Sequence, residues 1–557
     1  MSNPINYQPA NLAFLARFRF IPSVAFFAAM LCLLPMLAVV VAAFSGGTET
    51  VQHLFETVLG RYTRATLVLV SLVAAGTFVI GVGTAWLVTM TRFPGVRTLE
   101  IALVLPLAFP AYVLAYAYTH VLDHPGIVQT SLRQIMGWGP RDYWFPEVRS
   151  LGGAAAMLIL VLYPYVYLLA RAAFLQQSGT TFLAARALGR SAWSAFLRVS
   201  LPMARPAIAG GVLLTVMETI ADFGTVAYFS VQTFATGIYT SWFAMADRAA
   251  AAQLALCLLS FALMLAIIER SQRGAARYHD AVRQAQQMPP VMLGGWRAKA
   301  AFLTCFLPVF LGAVLPIFIL IGMAIGSEQN LLSARYSLFI RNSLTLATVA
   351  AFITVGAAIC LGFNARLRPD RVSSAAGYVA RMGYAVPGGV IAVGLLVPFA
   401  AFDNAVDAWM RETFNISTGL LLTGSIWLLV IAYMVRFLAA ALSTYEGGQA
   451  LVHEHMDAAA RSLGQTPLGT LRRVHVPILA PSLLTALLIV FVDVMKELPA
   501  TLIMRPFNYD TLAVQAYRLA SDERLEGAAV PSLVIVAIGL LPVLLMCRQV
   551  RRRGGSL

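Results

Sequence analysis

The chain contains very little charge. Only 12% of its 557 residues are Asp, Glu, Lys or Arg, whereas 59% are hydrophobic. An ordinary soluble domain is about half apolar and about a quarter charged. This composition excludes a soluble globular protein, and it excludes a disordered chain because disordered chains are poor in apolar residues. It is typical of a protein that lies mostly in lipid.

Cysteine and lysine are also scarce. The 5 cysteines lie in apolar runs without paired or metal-ligand spacing, which excludes a disulfide scaffold and a cysteine metal centre. The lysines are Lys299 and Lys496, and neither follows a glycine or precedes Ser or Thr, so the chain has no phosphate-binding loop of the type Gly-x-x-x-x-Gly-Lys-Ser/Thr. We therefore predict a non-enzymatic chain that binds no cofactor and draws its energy from another subunit or from an ion gradient.

The net charge is +15, from 40 basic and 25 acidic residues. The basic residues lie in short segments between hydrophobic stretches, where the cytoplasmic loops of membrane proteins carry them. No basic stripe with interleaved aromatic residues is present, so we predict a lipid environment and no nucleic-acid partner.

Long apolar runs recur along the chain. A helix needs about 20 apolar residues to cross a hydrocarbon core of about 30 Å. The sequence predicts an all-α membrane protein with about twelve spans, six in each half. The predicted spans are 21–44, 65–91, 101–119, 151–170, 204–224, 249–268, 301–325, 342–364, 376–401, 418–441, 478–498 and 527–547.

Basic residues also predict the orientation. Arg17 and Arg19 precede the first span, and Arg548 follows the last. Because cytoplasmic segments hold the excess of arginine, we expect both termini in the cytoplasm, with the chain crossing the membrane many times.

One polar stretch divides the chain near its middle. Residues 270–299 contain Pro289-Pro290 and Gly294-Gly295, which are typical of a linker. The predicted organisation is a first six-span module (1–269), a cytoplasmic linker (270–299) and a second six-span module (300–557).

The two halves share an internal repeat. Residues 183–189 read LAARALG and residues 458–464, 275 positions later, read AAARSLG; Pro202 and Pro477 follow in the same register. Small residues let another protein approach closely, glycine lets the chain leave the helix, and we expect the prolines to break the path before a new membrane helix. The predicted docking residues are Ala184, Ala185, Gly189, Pro202, Ala459, Ala460, Gly464 and Pro477.

This repeat resembles the cytoplasmic loop of type I ATP-binding-cassette importer permeases. Their pattern is Glu-Ala-Ala, three residues, Gly, nine residues, Ile-x-Leu-Pro. Both copies match the spacing, but Leu183 and Ala458 replace the glutamate, and Asp457 precedes the second copy. Downstream, residues 218–226 and 496–502 are similar to the fused permeases of ferric-iron importers.

The resemblance implies two fused six-helix permease modules. Two copies of a cytoplasmic ATPase, which uses ATP and Mg²⁺, would dock on the two loops, and a periplasmic substrate-binding protein would deliver ferric iron. Fused thiamine permeases share the same layout, so thiamine or another small solute is an alternative cargo. A gradient-driven secondary transporter is less favoured, because it has no need of two ATPase-docking loops.

Four acids within the predicted spans also follow the repeat. Glu218 corresponds to Asp493, and Asp222 to Glu497, so each half contains carboxylates at i and i+4, predicted on one face of one helix. In one interpretation they ring the pore mouth and attract a hard cation, which prefers oxygen ligands. In the other, which we favour, they cap helix breaks and pair with Lys496 or other basic residues, since conduction requires weak sites.

Overall fold

The computed structural model describes residues 20–45, 52, 54–177, 187–274, 291–327, 329 and 333–554, and most of this chain is helical. In lipid, a helix satisfies its backbone N–H and C=O groups within its own segment. The helices of the first half are α1 (Phe20–Ser45), α2 (Gly60–Met90), α3 (Val96–Ala102), α4 (Ala111–Leu122), α5 (Ile127–Met136), α6 (Leu151–Gln176), α7 (Ala192–Ala195), α8 (Leu201–Ala221), α9 (Gly224–Tyr228), α10 (Phe234–Tyr239) and α11 (Arg248–Gly274).

The second half repeats this arrangement. Its helices are α12 (Gly295–Val309), α13 (Leu315–Gly326), α14 (Ala334–Leu367), α15 (Arg371–Met382), α16 (Gly388–Phe414), α17 (Ile426–Gln449), α18 (Glu454–Ser462), α19 (Pro467–Thr470), α20 (Val476–Met495), α21 (Pro499–Met504), α22 (Leu512–Ser521) and α23 (Leu525–Gly554). Short π or 3-10 turns are Phe55–Leu59, Leu105–Ala108, Phe196–Ser200, Thr240–Ala244, Phe310–Val314, Gly383–Ala385 and Leu471–His475.

The predicted number of spans is confirmed. Among the described residues, 11 helices are long and apolar enough to cross a membrane, and there are 12 if one bent pair counts as a single span. That pair, Val96–Ala108 and Ala111–Met136, bends by 93°. The bend falls at Phe109 and Pro110, both extended, because a proline disfavours helical backbone in the residue before it.

The ninth predicted span, 376–401, has the wrong boundaries. Its first part belongs to the separate helix α15, and the long helix α16 runs from Gly388 to Phe414. Pro387 is extended and separates the two. At the other end, Asn415 adopts a left-handed conformation that terminates α16. Hydrophobicity alone did not distinguish α15 from the membrane helix that follows it.

The first helix of each half packs against the other half. On one side, α1 approaches α16 so closely that a Cβ atom added to Gly394 would lie 2.3 Å from the Pro35 carbonyl oxygen. On the other, the Tyr118 hydroxyl of α4 donates to the Leu311 carbonyl oxygen at 2.6 Å. The halves are therefore interlocked, and their facing surfaces meet along the centre of the bundle.

The predicted linker is helical at both ends. Helix α11 continues to Gly274 and α12 begins at Gly295. Before α12, β2 (Val291–Met292) pairs in parallel with β1 (Thr91–Arg92), which follows α2. The start of the second half is thereby attached to the end of a first-half span.

Candidate functional site

The four membrane acids lie where helices end. Helix α8 ends at Ala221 and α20 ends at Met495, so Asp222 and Glu497 come after the helices that carry Glu218 and Asp493. The prediction that each pair shares one face of one helix is therefore wrong. The second acid of each pair binds the N-terminus of a new short helix, so the preceding helix has to end before that acid.

Asp222 binds the start of α9. Its carboxylate accepts hydrogen bonds from the backbone N–H groups of Thr225 at 3.1 Å and Val226 at 3.2 Å, and from the Thr225 hydroxyl at 3.1 Å. The first N–H groups of a helix have no partner within it, and a carboxylate also interacts favourably with the positive end of the helix dipole. All these partners are neutral groups.

Glu497 plays the same part for α21, with an ionic partner in addition. Its carboxylate accepts from the backbone N–H groups of Ala500 at 2.9 Å and Thr501 at 3.0 Å, and from the Thr501 hydroxyl at 2.6 Å. Arg436 of α17 donates to it at 3.2 Å. Glu497 is only 5% exposed, so these bonds replace the water that a buried charge loses.

The other two acids differ in the charge of their partners. The Lys496 ammonium lies 2.9 Å from the Asp493 carboxylate. Glu218 accepts a hydrogen bond from the Tyr384 hydroxyl at 2.7 Å, and Tyr384 belongs to the other half of the chain. The second-half acids thus have cationic partners in the structure, whereas the first-half acids have neutral ones.

All four acids line one cavity of about 120 Å³ between the halves. Arg436 and Lys496 also line it, so four carboxylates face two basic side chains. Its aromatic lining residues are Phe109, Tyr112, Tyr165, Phe223, Tyr384 and Phe437. An excess of carboxylates favours cations and repels anions within such a low-dielectric space.

The basic groups of this cavity come from the second half. At the 275-residue offset, Lys496 corresponds to Ala221 and Arg436 to Val161, and both of these apolar residues also line the cavity. Helices α6 and α17 begin at Leu151 and Ile426, which confirms the register. The first half therefore lines the cavity with acids that have neutral partners, whereas the acids of the second half are paired with basic side chains of the same half.

The acids do not form a compact metal centre. Within the part of the chain that the structure describes, no three His, Cys, Asp or Glu side chains are grouped so that they could hold a metal ion. The arrangement can attract a cation electrostatically, and weak attraction of this kind is what conduction requires.

An ionic contact also links the halves at the end of the bundle opposite the repeated loops. Arg149 donates to both oxygens of the Glu523 carboxylate, at 2.6 and 2.8 Å, and to Asp123 at 3.1 Å. These hydrogen bonds from Arg149 lower the pKa of Glu523. Because the residues belong to different halves, the contact holds this end of the bundle together.

Comparison with known proteins identifies the family. Residues 354–554 match the model of the inner membrane component of binding-protein-dependent transport systems. The sulfate transport system permease protein of Escherichia coli is 31% identical over 208 residues, which cover 36% of this chain and 67% of that protein. The chain is an inner-membrane permease of the ATP-binding-cassette importer family.

Two further relatives extend the similarity over most of the permease. An Fe(3+)-transport system permease protein of Haemophilus influenzae is 25% identical over 521 residues, which cover 93% of this chain and 95% of that protein. A ferric transport system permease protein of Actinobacillus pleuropneumoniae is 24% identical over 467 residues, 79% of this chain and 64% of that protein. The similarity to the Haemophilus influenzae protein therefore extends over both halves of the permease.

The predicted docking residues differ in how far the structure describes them. Ala184 and Ala185 lie outside the described residues. Gly189 and Gly464 both have left-handed backbone, with φ of 82° and 74°, as expected for a residue that ends a helix. In the second loop Ala459, Gly464 and Pro477 are exposed and Ala460 is buried; Pro202 is half-buried.

The prolines of the two loops do not break the helical path. Pro202 and Pro477 lie in the first turns of α8 and α20, and each helix continues directly from a π turn, Phe196–Ser200 or Leu471–His475. A π turn widens the helix by one residue. It falls in both halves just before the proline, whose missing N–H and bulky ring would disturb a regular α-helix at that place.

Two important lining residues were not predicted. Arg436 is a charge within the predicted span 418–441, and a charged residue inside a span is itself a signal of a functional site. Tyr384 had no such signal, because its role depends on the packing of α15 and the following turn near the other half. Sequence spacing could not show that contact.

The different surroundings of Asp222 and Glu497 predict different effects on stability. Glu497→Gln removes the partner of the largely buried Arg436 and should destabilise the permease by about 3 kcal/mol, the usual cost of leaving a buried charge unpaired. Asp222→Asn loses helix-capping bonds to neutral groups and should cost about 1 kcal/mol. Thermal unfolding of the detergent-solubilised variants measures both. An equal loss in the two variants would show that the ionic partner of Glu497 adds nothing to its capping role.

Proposed function

We propose that this permease forms the membrane path of an ATP-driven importer whose cargo is ferric iron. The observation that carries the proposal is the acid-lined cavity between the halves, in a chain that is similar along nearly its whole length to an Fe(3+)-transport permease. The path would pass between the halves, where Glu218 and Asp493 belong to the lining.

The charge of the cavity also supports the choice of cargo. A sulfate permease is among the relatives, yet a sulfate ion would meet four carboxylates and two basic side chains here. Bringing like charges together in a space of low dielectric constant costs several kcal/mol. A ferric cation is instead attracted by the acids, and the separated positions of the carboxylates keep that attraction weak enough for release.

The energy for transport would come from partner proteins. Two copies of a cytoplasmic ATPase would bind, one at each repeated loop, and hydrolyse ATP with Mg²⁺. Exposed apolar side chains are available on both loops, including Leu188 at 84% and Leu463 at 79% exposure, and such residues are typical of protein contacts. A periplasmic binding protein would select the cargo and deliver it to the end of the permease opposite the two loops. Both termini of the permease would lie in the cytoplasm.

Removing the loops tests the proposed docking. Deleting residues 458–464 should lower the amount of co-purified ATPase from two copies per permease to one at most, and deleting 183–189 as well should abolish it, because each loop would hold one copy. Quantitative mass spectrometry of the purified complex gives the ratio, and size-exclusion chromatography confirms that the variants remain folded. Unchanged stoichiometry in the double deletion would refute the docking role.

Substitution of the acids that point into the path tests the cation route. Glu218→Gln combined with Asp493→Asn removes two negative charges but keeps the side-chain shapes. We therefore expect ferric uptake to fall about tenfold or more, which corresponds to the loss of an attraction of about 1.4 kcal/mol or more. Uptake of ⁵⁵Fe into cells with matched permease levels measures this. Full uptake by the double variant would remove both acids from the path.

A further inference from the structure

The carboxylate of Asp457 joins three helices near the second docking loop. Asp457 lies in the first turn of α18, directly before the Ala458–Gly464 repeat. One of its oxygens accepts from Arg366 Nε at 2.7 Å, and the other lies 2.7 Å from His475 Nε2. Arg366 belongs to the last turn of α14, and His475 immediately precedes α20.

Arg366 adds a fourth element to this cluster. Its Nη2 donates to the Val452 carbonyl oxygen at 2.8 Å, in the turn after α17. The guanidinium group therefore binds the segment between α17 and α18 while it holds Asp457. A planar guanidinium with several donors suits such a fixed, multidentate contact better than a flexible ammonium group.

His475 attaches the cluster to the membrane helices. Its side chain is fully buried, and its ring packs edge-on against Phe363 of α14, with ring centroids 4.9 Å apart. Helix α20 begins with the next residue and leads to Asp493 at the cavity. Helix α17, on the other side of the cluster, carries Arg436. The two second-half helices that bring ionic groups to the cavity thus start or end at this cluster.

Because the cluster is largely buried, it can hold the helices that it joins together. The side chains of Arg366 and Asp457 are 18% and 21% exposed. Ion pairs at the surface contribute little because water and salt screen them, whereas separating a largely buried pair leaves an uncompensated charge. The start of α18 should therefore move together with α14 and α20.

The first half has no equivalent cluster in its sequence. At the 275-residue offset Phe182 replaces Asp457, and Ser200 replaces His475. A phenylalanine cannot accept a hydrogen bond from a basic side chain. The second half therefore has an acid one position before the place of the missing motif glutamate, and the first half has no acid at the corresponding position.

We propose that Arg366, Asp457 and His475 form a joint, called here the Asp457 joint, that transmits movement of the second docking loop to the helices α17 and α20 beside the cavity. The proposal rests on the docking of an ATPase at that loop. The exposed side chains of Met456 and Leu463 are available to the ATPase, while Asp457 connects α18 to the membrane helices. The three residues are positioning residues that need not touch ATP or cargo.

Replacement of Asp457 should uncouple ATP hydrolysis from transport. In proteoliposomes that contain the permease, its ATPase and its binding protein, Asp457→Asn should bind the ATPase normally and hydrolyse ATP, but cargo transported per ATP should fall about tenfold, within the range of typical coupling effects. The matched control is Glu454→Gln, which neutralises an exposed acid on the same helix. This control variant should transport as much cargo per ATP as the unaltered permease.

Variants of His475 give an independent test if Asp457→Asn does not fold. His475→Leu places an apolar side chain beside Phe363 and removes the donor to Asp457, so it should uncouple. His475→Gln retains a donor and should restore most of the coupling. If both Asp457→Asn and His475→Leu transported a normal amount of cargo per ATP, the proposed role of the Asp457 joint would be refuted. Failure of the unaltered permease to bind the ATPase would instead refute the docking proposal on which the joint rests.

Discussion

An ionised carboxylate inside a membrane protein must find partners that replace water, and this constraint determines the centre of the structure. The chain meets it by ending α8 and α20 early, so that Asp222 and Glu497 bind the free N–H groups of the next short helices. Each acid is thus stabilised by the N–H groups that a helix break makes available, and each new helix is stabilised by the acid that caps it. Because both breaks occur where the interlocked halves meet, the acids also line the shared cavity.

The two halves have kept the same helices but not the same charges. The second half supplies Lys496 and Arg436 to the cavity and contains the Asp457–Arg366–His475 cluster. The first half has apolar residues at the places of Lys496 and Arg436. The acids of the first half have neutral hydrogen-bond partners. The duplicated fold thus contains two halves whose cavity acids differ in the charge of their partners.

The sequence was sufficient for the architecture and for the position of the acids. Long apolar runs predicted the spans, and the 275-residue repeat indicated that Glu218, Asp222, Asp493 and Glu497 are equivalent in pairs. In the structure Asp222 and Glu497 cap new helices, Asp493 pairs with Lys496, and Glu497 pairs with another basic residue, Arg436. The helix ends at Ala221 and Met495 were not predicted, because each apolar helix was expected to continue until a strong helix breaker. The break expected at Pro477 was wrong, since a π turn keeps the helix continuous there.

The contacts that could not be predicted are those between distant segments. Tyr384 reaches Glu218 across the halves, and Arg366 reaches Asp457 over 91 positions. No local pattern encodes these pairs, because each depends on how the helices pack. The packing of α1 against α16 has the same origin: both sequences indicate membrane helices, but only the close approach at Gly394 shows that they are neighbours.

The central claim is that ATP hydrolysis by partner subunits drives a cation through the cavity of this permease. The most direct measurement is ferric-iron uptake by liposomes that contain the permease and its ATPase, with the binding protein and iron outside and ATP and Mg²⁺ inside. We expect uptake that requires both ATP and the ATPase and that stops with a non-hydrolysable ATP analogue. Accumulation by the permease alone, driven by a proton or sodium gradient without nucleotide, would contradict the claim.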